Sequence, residues 1–287
     1  MTETNFTIQW LLKRFAYDSI ARNKQVEQSC LDYFKHNKDI SILDIGSGTG
    51  ASCIYFMEKI TANQVWTLVE LNPELAKASA ERIAAYAVEN GYIVQQGAQQ
   101  LFLQKKQKFV TVHIRQESFL QMDSRLDWGS IDLLTATAVF DLLSKELFAK
   151  FIEPIITYRI PLLGTINYER MSFLPTDSLS EKYADLYTQH MVRPQAFGHA
   201  MGGNCIREIT SLFRQNGLSF VSGESNWRIP PEDATMRHYL LDYMADAIPE
   251  LLQTTDELAT FTEWLANKRQ QKNLTIIVEH RDFFLYF

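Results

Sequence analysis

Three glycines set two residues apart behind an aspartate, in the run ILDIGSGTG, are the residues here best suited to hold a nucleoside: Asp44, then Gly46, Gly48 and Gly50. Lacking a Cβ, they let the chain turn sharply and let a bulky ligand lie against the backbone. Glu70, at the end of the next apolar run, has a carboxylate able to accept two hydrogen bonds from a ribose diol. A dinucleotide and an adenosyl sulfonium both suit such a turn, and reading Gly46, Gly48 and Ala51 as GxGxxA would admit a nicotinamide coenzyme. Asp44 separates the two, because a carboxylate there crowds a pyrophosphate, whereas a sulfonium nucleoside carries no phosphate to repel. The expected cofactor is S-adenosylmethionine.

Methyl transfer from a sulfonium is an in-line displacement with a good leaving group, so the protein mainly positions and desolvates, and a base serves where the acceptor carries a proton. The candidates for this work are Asp141, His190 and Tyr168. Asp141 lies on the first turn after the fourth strand, where it either faces the methyl group or simply complements a helix N-terminus. His190 and His199 fall in the segment after the fifth strand, where at least one has a functional role or both are surface or structural residues. Tyr168 and Arg170 end the fifth strand, either against a ligand or pinning the segment that follows. Arg14, Asp18 and Arg22 recur on one helical face. One arginine, Arg22 in particular, is suited to hold the cofactor carboxylate, and a solvated salt-bridge ladder is the alternative. Trp10 and Trp227 line a pocket or belong to the core, and His280 and Arg281 read as structural. No HExxH, His/Cys cluster or Asp-rich loop calls for a metal.

The elements that must position these groups alternate between strand and helix. Residues 7–35 carry Ile8, Leu11, Leu12, Phe15 and Ala16 at helical spacing, predicting one or two amphipathic helices that cover the cofactor as a lid over residues 1–38. Strands are expected at 40–45, 65–70, near 109–115 after a hairpin begun at 92, at 130–135, at 161–168 and at 218–227, with NLTIIVEH (273–280) as the seventh. The result is an α/β fold, a doubly wound seven-stranded sheet over 39–287, whose last strand returns antiparallel beside the fifth. Residues 169–200 break the alternation and read as a cap over the substrate. Two further helices fill 232–272.

The chain has 287 residues and a formal net charge of −6, which disfavours a nucleic-acid partner. Cys30, Cys53 and Cys205 are too few and too scattered for a disulfide framework, so a reducing, cytoplasmic location is expected. The start shows no basic-apolar leader and no run reaches the length of a membrane span. A small-molecule substrate is the expected partner, with homodimer and monomer both open.

Over residues 40–168 the sequence resembles the class I S-adenosylmethionine-dependent methyltransferases, which implies a Rossmann-like sheet and a cofactor site residue by residue. By that resemblance Asp44, Gly46, Ser47, Gly48 and Gly50 form the first motif, Glu70 takes the ribose, and Leu71 lies beside the adenine. Glu117 and Ser118 meet the adenine edge, and Ala136 and Thr137, in TATAVFDLL, meet the methionine part. WLLKRFAYDSIAR, SNWR and VEHRDFF extend the likeness to a bacterial group within the class, whereas HMVRPQAFG at 190–198 keeps only the His and closing Phe-Gly of that group's pattern. The implied activity is O-, N- or C-methylation of a small molecule. Another reaction of the sulfonium, such as cyclisation, and a non-catalytic cofactor-binding module remain as alternatives.

Overall fold

The computed structural model describes residues 7–97, 99–121, 126–195 and 198–287. The chain opens with two helices, α1 (Ile8–Ala21) and α2 (Lys24–Phe34), each begun by a side-chain cap: Thr7 accepts from Trp10 N, and Asn23 from Gln25 N and Val26 N. Strand β1 (Asp39–Ile45) then passes through the glycine turn into α3 (Ala51–Met57), and β2 (Asn63–Val69) passes into α4 (Pro73–Glu89). Asn72 caps α4 and Pro73 stands at its first position, where a missing N–H costs nothing.

The expected hairpin is β3 (Ile93–Gln96) and β4 (Gln100–Lys105), joined through a tight turn at Lys106–Gln107 to β5 (Lys108–Arg115). After β6 (Leu133–Thr137), α5 (Lys145–Tyr158) and β7 (Leu162–Leu174) come α6 (Ser178–Met191) and a two-strand bridge, β8 (Pro194–Gln195) with β9 (Gly198–His199). Then follow α7 (Cys205–Gln215), β10 (Ser219–Glu224), β11 (Trp227–Ile229), α8 (Ala234–Ala247), α9 (Thr255–Gln270) and β12 (Thr275–Tyr286).

The sheet runs β10-β12-β7-β6-β1-β2-β5-β4-β3, with β11 also pairing on β12. Strands β7, β6, β1, β2 and β5 are parallel, and β12 enters antiparallel between β7 and β10. This is the doubly wound arrangement, including the antiparallel return beside the fifth principal strand. Alternate residues of β1 feed two cores: Ile40 and Ile42 pack with α2, α3 and α4, while Leu43 and Ile45 pack with α5 and α7.

Several details differ from the sequence expectation. The fifth strand runs on to Leu174 and the last to Tyr286, so β7 and β12 overrun the sheet as a long ribbon, and most of the supposed cap insertion before α6 is strand. A third core of α1, α6, α8 and α9 sits on that ribbon. The sixth strand breaks at Ser225–Asn226 because Ser225 N and the Asn226 side chain turn to the backbone of His280. The apolar face assigned to the first helix is also wrong. Leu12 is 46% exposed, whereas Trp10, Asp18 and Arg22 are buried, because the two charged side chains find partners on the sheet and its ribbon.

One carboxylate fixes the ribbon where it meets the sheet. The β7–β12 register shifts between Arg281 and Phe283, and Ile166 adopts φ +56°, a left-handed value that a β-branched residue resists. Asp282, 1% exposed, holds it there by accepting Ile166 N at 2.7 Å and Asn23 N, at the cap of α2, at 2.9 Å. Asp282→Ala is expected to lower the unfolding free energy by about 3 kcal/mol in urea titrations, since two buried N–H groups lose a charged acceptor. A loss too small to measure would show that the bulge stands without it.

Candidate functional site

Parallel strands end together at the switch between β1, whose helix packs on one face, and β6, whose helix packs on the other, and ligands of α/β sheets bind in that crevice. The glycine turn forms its floor. Gly46, Gly48 and Gly50 take φ of +58°, +54° and +75°, and a Cβ on Gly46 would stand 2.8 Å from Val139 Cγ2. Ser47 N donates to Val69 O at 3.1 Å, and Gly48 N donates to Glu70 Oε2 at 2.8 Å. The other oxygen of Glu70 accepts Asn72 N at 2.9 Å, so the carboxylate is clamped at the end of β2 with lone pairs to spare.

Asp44 lies beneath the turn, 1% exposed, and neither carboxyl oxygen has a hydrogen-bond partner. Burial pushes its pKa up to about 8, Arg22 opposes that rise and Glu70 adds to it. An acid so placed stays protonated at neutral pH until a donor or a cation comes into the cleft. The Ser47 hydroxyl, likewise buried, is also without a partner.

Behind the cleft runs a chain of hydroxyls: Ser52 Oγ to Thr137 Oγ1 at 3.0 Å and Thr137 Oγ1 to Thr165 Oγ1 at 2.8 Å. Arg22 reaches both threonines, at 3.1 Å to Thr165 and 3.4 Å to Thr137, with its guanidinium 4.3 Å from the Tyr55 ring centre. Arg22 therefore braces β6 and β7 from below. The arginine in the cleft wall is Arg14, beside Leu11 and Asp18 of the same helix. Arg14 donates from Nε to Asp18 at 3.0 Å, and Asp18 accepts Trp227 Nε1 at 3.1 Å.

The other expected cofactor residues spread along the strand ends. Ala136 is buried, Thr137 borders the cleft, and Leu71 stands 58% exposed beyond Glu70. Glu117 and Ser118 follow β5, half-buried, with Glu117 3.7 Å from Arg115 and the Ser118 hydroxyl accepting Leu120 N at 3.4 Å.

Of the expected catalytic groups, Asp141 and Tyr168 come together and His190 does not join them. Asp141 is 5% exposed with one oxygen unpartnered, and burial lifts its pKa to about 6 against the pull of its own backbone and of Arg14. It acts through space on the buried phenol of Tyr168, which bonds Thr188 Oγ1 at 3.0 Å. His190 pairs instead with Glu250 at 3.1 Å, and Arg193 shares that carboxylate. The remaining candidates also move outward. Arg170 lies on the surface against Asp185, at 3.3 Å, and His199 is exposed on β9. Phe197, in the HMVRPQAFG run, falls outside the described residues. Trp10 and Trp227 pack edge to face, 6.1 Å apart.

Residues 11–115 match the family model of protein-L-isoaspartate (D-aspartate) O-methyltransferase. The YcgJ protein of Bacillus subtilis superposes with a TM-score of 0.50 at 13% identity, over 92% of this chain and 97% of that one. A cyclopropane-fatty-acyl-phospholipid synthase-like protein of Lactobacillus casei gives 0.52 at 11%, over 96% and 99%. The chain has the class I methyltransferase fold. A search of curated proteins finds no sequence match. The buried Asp44 carboxyl and the side-chain-free turn fit a cationic nucleoside. Among the described residues no helix of this class I methyltransferase fold is long and apolar enough to cross a membrane.

Sequence reasoning missed Thr165 and Asp282. Their role depends on a bulge between strands more than a hundred residues apart, and only the Asp within an apolar terminal run hinted at it. An acid whose folded pKa lies above its unfolded value near 4 costs stability as pH rises between the two. For Asp44 that window extends to about pH 8. Asp44→Asn is therefore expected to raise the Tm of the ligand-free protein, by a margin that widens from about pH 5 and levels off above pH 8. A margin constant with pH would contradict the assignment.

Proposed function

We propose that this chain is an S-adenosylmethionine-dependent methyltransferase acting on a small molecule. The observation that carries the reading is the buried, unpartnered carboxyl of Asp44 behind a glycine turn whose N–H is tied to Glu70. When bound, the cofactor supplies an activated methyl group on a cationic sulfur. Asp44 and Glu70 put negative potential under it, with Glu70 placed to accept from the ribose and Arg14 placed to take the cofactor carboxylate. Ser47, Gly48 and Gly50 shape the turn, Ala136 and Thr137 border the methionine part, and Leu71, Glu117 and Ser118 lie toward the adenine. Arg22 acts from below by fixing Thr137 and Thr165.

Asp141, two residues beyond the Val139 that packs on Gly46, is the group suited to take a proton from the methyl acceptor. Its pKa of about 6 leaves it mostly ionised at neutral pH, yet close enough to that pH to exchange the proton. Tyr168 positions the acceptor. His190, held by Glu250, has no part in this reading.

Calorimetry tests the cofactor half: S-adenosylmethionine or S-adenosylhomocysteine binds and NAD does not. Glu70→Ala weakens that binding by about 1.5–3 kcal/mol, the worth of a lost charged hydrogen bond, and unchanged affinity in a folded variant removes Glu70 from the site. For the chemistry, Asp141→Asn lowers kcat by roughly 10²–10⁴-fold with S-adenosylhomocysteine affinity retained, measured as S-adenosylhomocysteine released with a methylatable substrate. In the parent enzyme kcat/KM falls on the acid side of about pH 6, because the base must be unprotonated. A profile flat through that range would exclude Asp141.

A further inference from the structure

Behind the glycine turn, three hydroxyls stand in file between a cation and an acid. Arg22 donates to Thr165 Oγ1 at 3.1 Å, Thr165 and Thr137 are 2.8 Å apart, Thr137 and Ser52 are 3.0 Å apart, and Ser52 lines the cleft together with Asp44. Arg22 also reaches Thr137, at 3.4 Å. The members come from four separate elements, the end of α1, then β7, β6 and α3, and Arg22, Thr165 and Ser52 are buried.

Counting protons gives the file a direction. A guanidinium only donates, and each hydroxyl has a single proton to give. Among the described residues Thr165 has no acceptor except Thr137, so its proton goes there. Thr137, with Arg22 and Thr165 both donating to it, must then donate to Ser52. Ser52 keeps its own proton for Asp44, the carboxyl on which its hydroxyl bears. The reverse order fails, because a proton handed from Asp44 up the file would leave the Thr165 hydroxyl facing Arg22 with its hydrogen unplaced. Asp44 is thus offered a donor from behind and has nowhere to donate a proton of its own.

A donor aimed at an acid favours its charged form. Against this, burial and Glu70 favour the neutral acid, and Arg22 opposes them. The other neighbours leave the balance where it is. Strand β6 brings the uncharged Thr135 alongside, the Cys53 thiol of α3 is held neutral by burial, and Arg14 and Asp18 across the cleft pair with each other. A cation entering the cleft tips it.

We propose that Arg22, Thr165, Thr137 and Ser52 form a one-way relay that makes Asp44 a carboxylate as the cofactor binds, with Thr165 as a positioning residue. The inference rests on the cofactor reading above. On binding, the O–H bond of the Asp44 carboxyl breaks, its electron pair stays on oxygen and the proton leaves to solvent. The negative charge then faces the cationic cofactor while Ser52 holds the carboxylate from behind. Thr165 is buried and stands outside the cleft lining, so it acts on the cofactor only through this file.

Calorimetric titration of S-adenosylmethionine between pH 6 and pH 9, in pairs of buffers with different ionisation enthalpies, tests the relay. The parent protein is expected to release about one proton per cofactor at pH 6–7 and little at pH 9, with affinity rising up to about pH 8. Thr165→Val, which keeps the shape and loses the hydroxyl, should weaken binding about 10-fold at pH 6–7 and only about 2-fold at pH 9, because its Asp44 ionises at higher pH. Thr165→Ser, which restores the hydroxyl, should bind as the parent does, and Asp44→Asn should release no proton. Where Thr165→Val does not fold, Thr165→Ala carries the same expectation. A loss equal at every pH, no loss at all, or binding to the parent without proton release overturns the relay and leaves the cofactor reading in place. Failure of S-adenosylmethionine to bind the parent at any pH removes the cofactor reading, and this inference with it.

Discussion

The rear wall of the site depends on one buried carboxylate near the end of the chain. Asp282 takes the N–H of Ile166 and the N–H of Asn23, so it joins the bulge of β7 to the start of α2 in one place. The bulge turns Thr165 toward Arg22 and Thr137, behind the cofactor cleft, and returns β7 to the sheet plane in time to present Tyr168 beyond it. Charged hydrogen bonds of this kind are among the stronger ones available to a buried backbone. That strength is what keeps a β-branched residue in a conformation it would otherwise leave.

Acids in this fold are sorted by environment. Asp282 and Asp44 are both nearly inaccessible, but each oxygen of the first accepts a backbone N–H, whereas the second receives no backbone donor and only the Ser52 hydroxyl bears on it. Burial without compensation costs free energy. A structure that tolerates it at the floor of a cleft, directly under a backbone turn, holds that cost in reserve for whatever arrives to relieve it.

Much of this was legible in the sequence. Strand, glycine turn and helix alternate with periods that betray a parallel sheet, and the ILDIGSGTG run carries its own conformational requirement, since three glycines take left-handed values. The position of the last strand followed from the same alternation. What the sequence hid were contacts between distant residues. Leu12 reads as core by spacing yet is exposed, and Arg22, which reads as a cofactor ligand or a rung of a solvated ladder, is buried, because Thr137 and Thr165 supply the partners that make a buried guanidinium tolerable. His190 looks like a base by type, and only the fold reveals Glu250 beside it. The length of β7 was underestimated because its ERMSFL tail mixes polar and apolar residues until the helices on the ribbon are known to cover it, and that of β12 because Arg281 and Asp282 interrupt the apolar run ahead of Phe283.

Helix α1 contributes to two environments: Leu11, Arg14 and Asp18 wall the cofactor cleft, and Trp10 packs edge to face on Trp227 and Tyr243 in the third core. A partition anchored in this way cannot swing away from the cleft without unpacking that core. Whatever lifts this single rod opens the cleft and exposes the core beside it in one event.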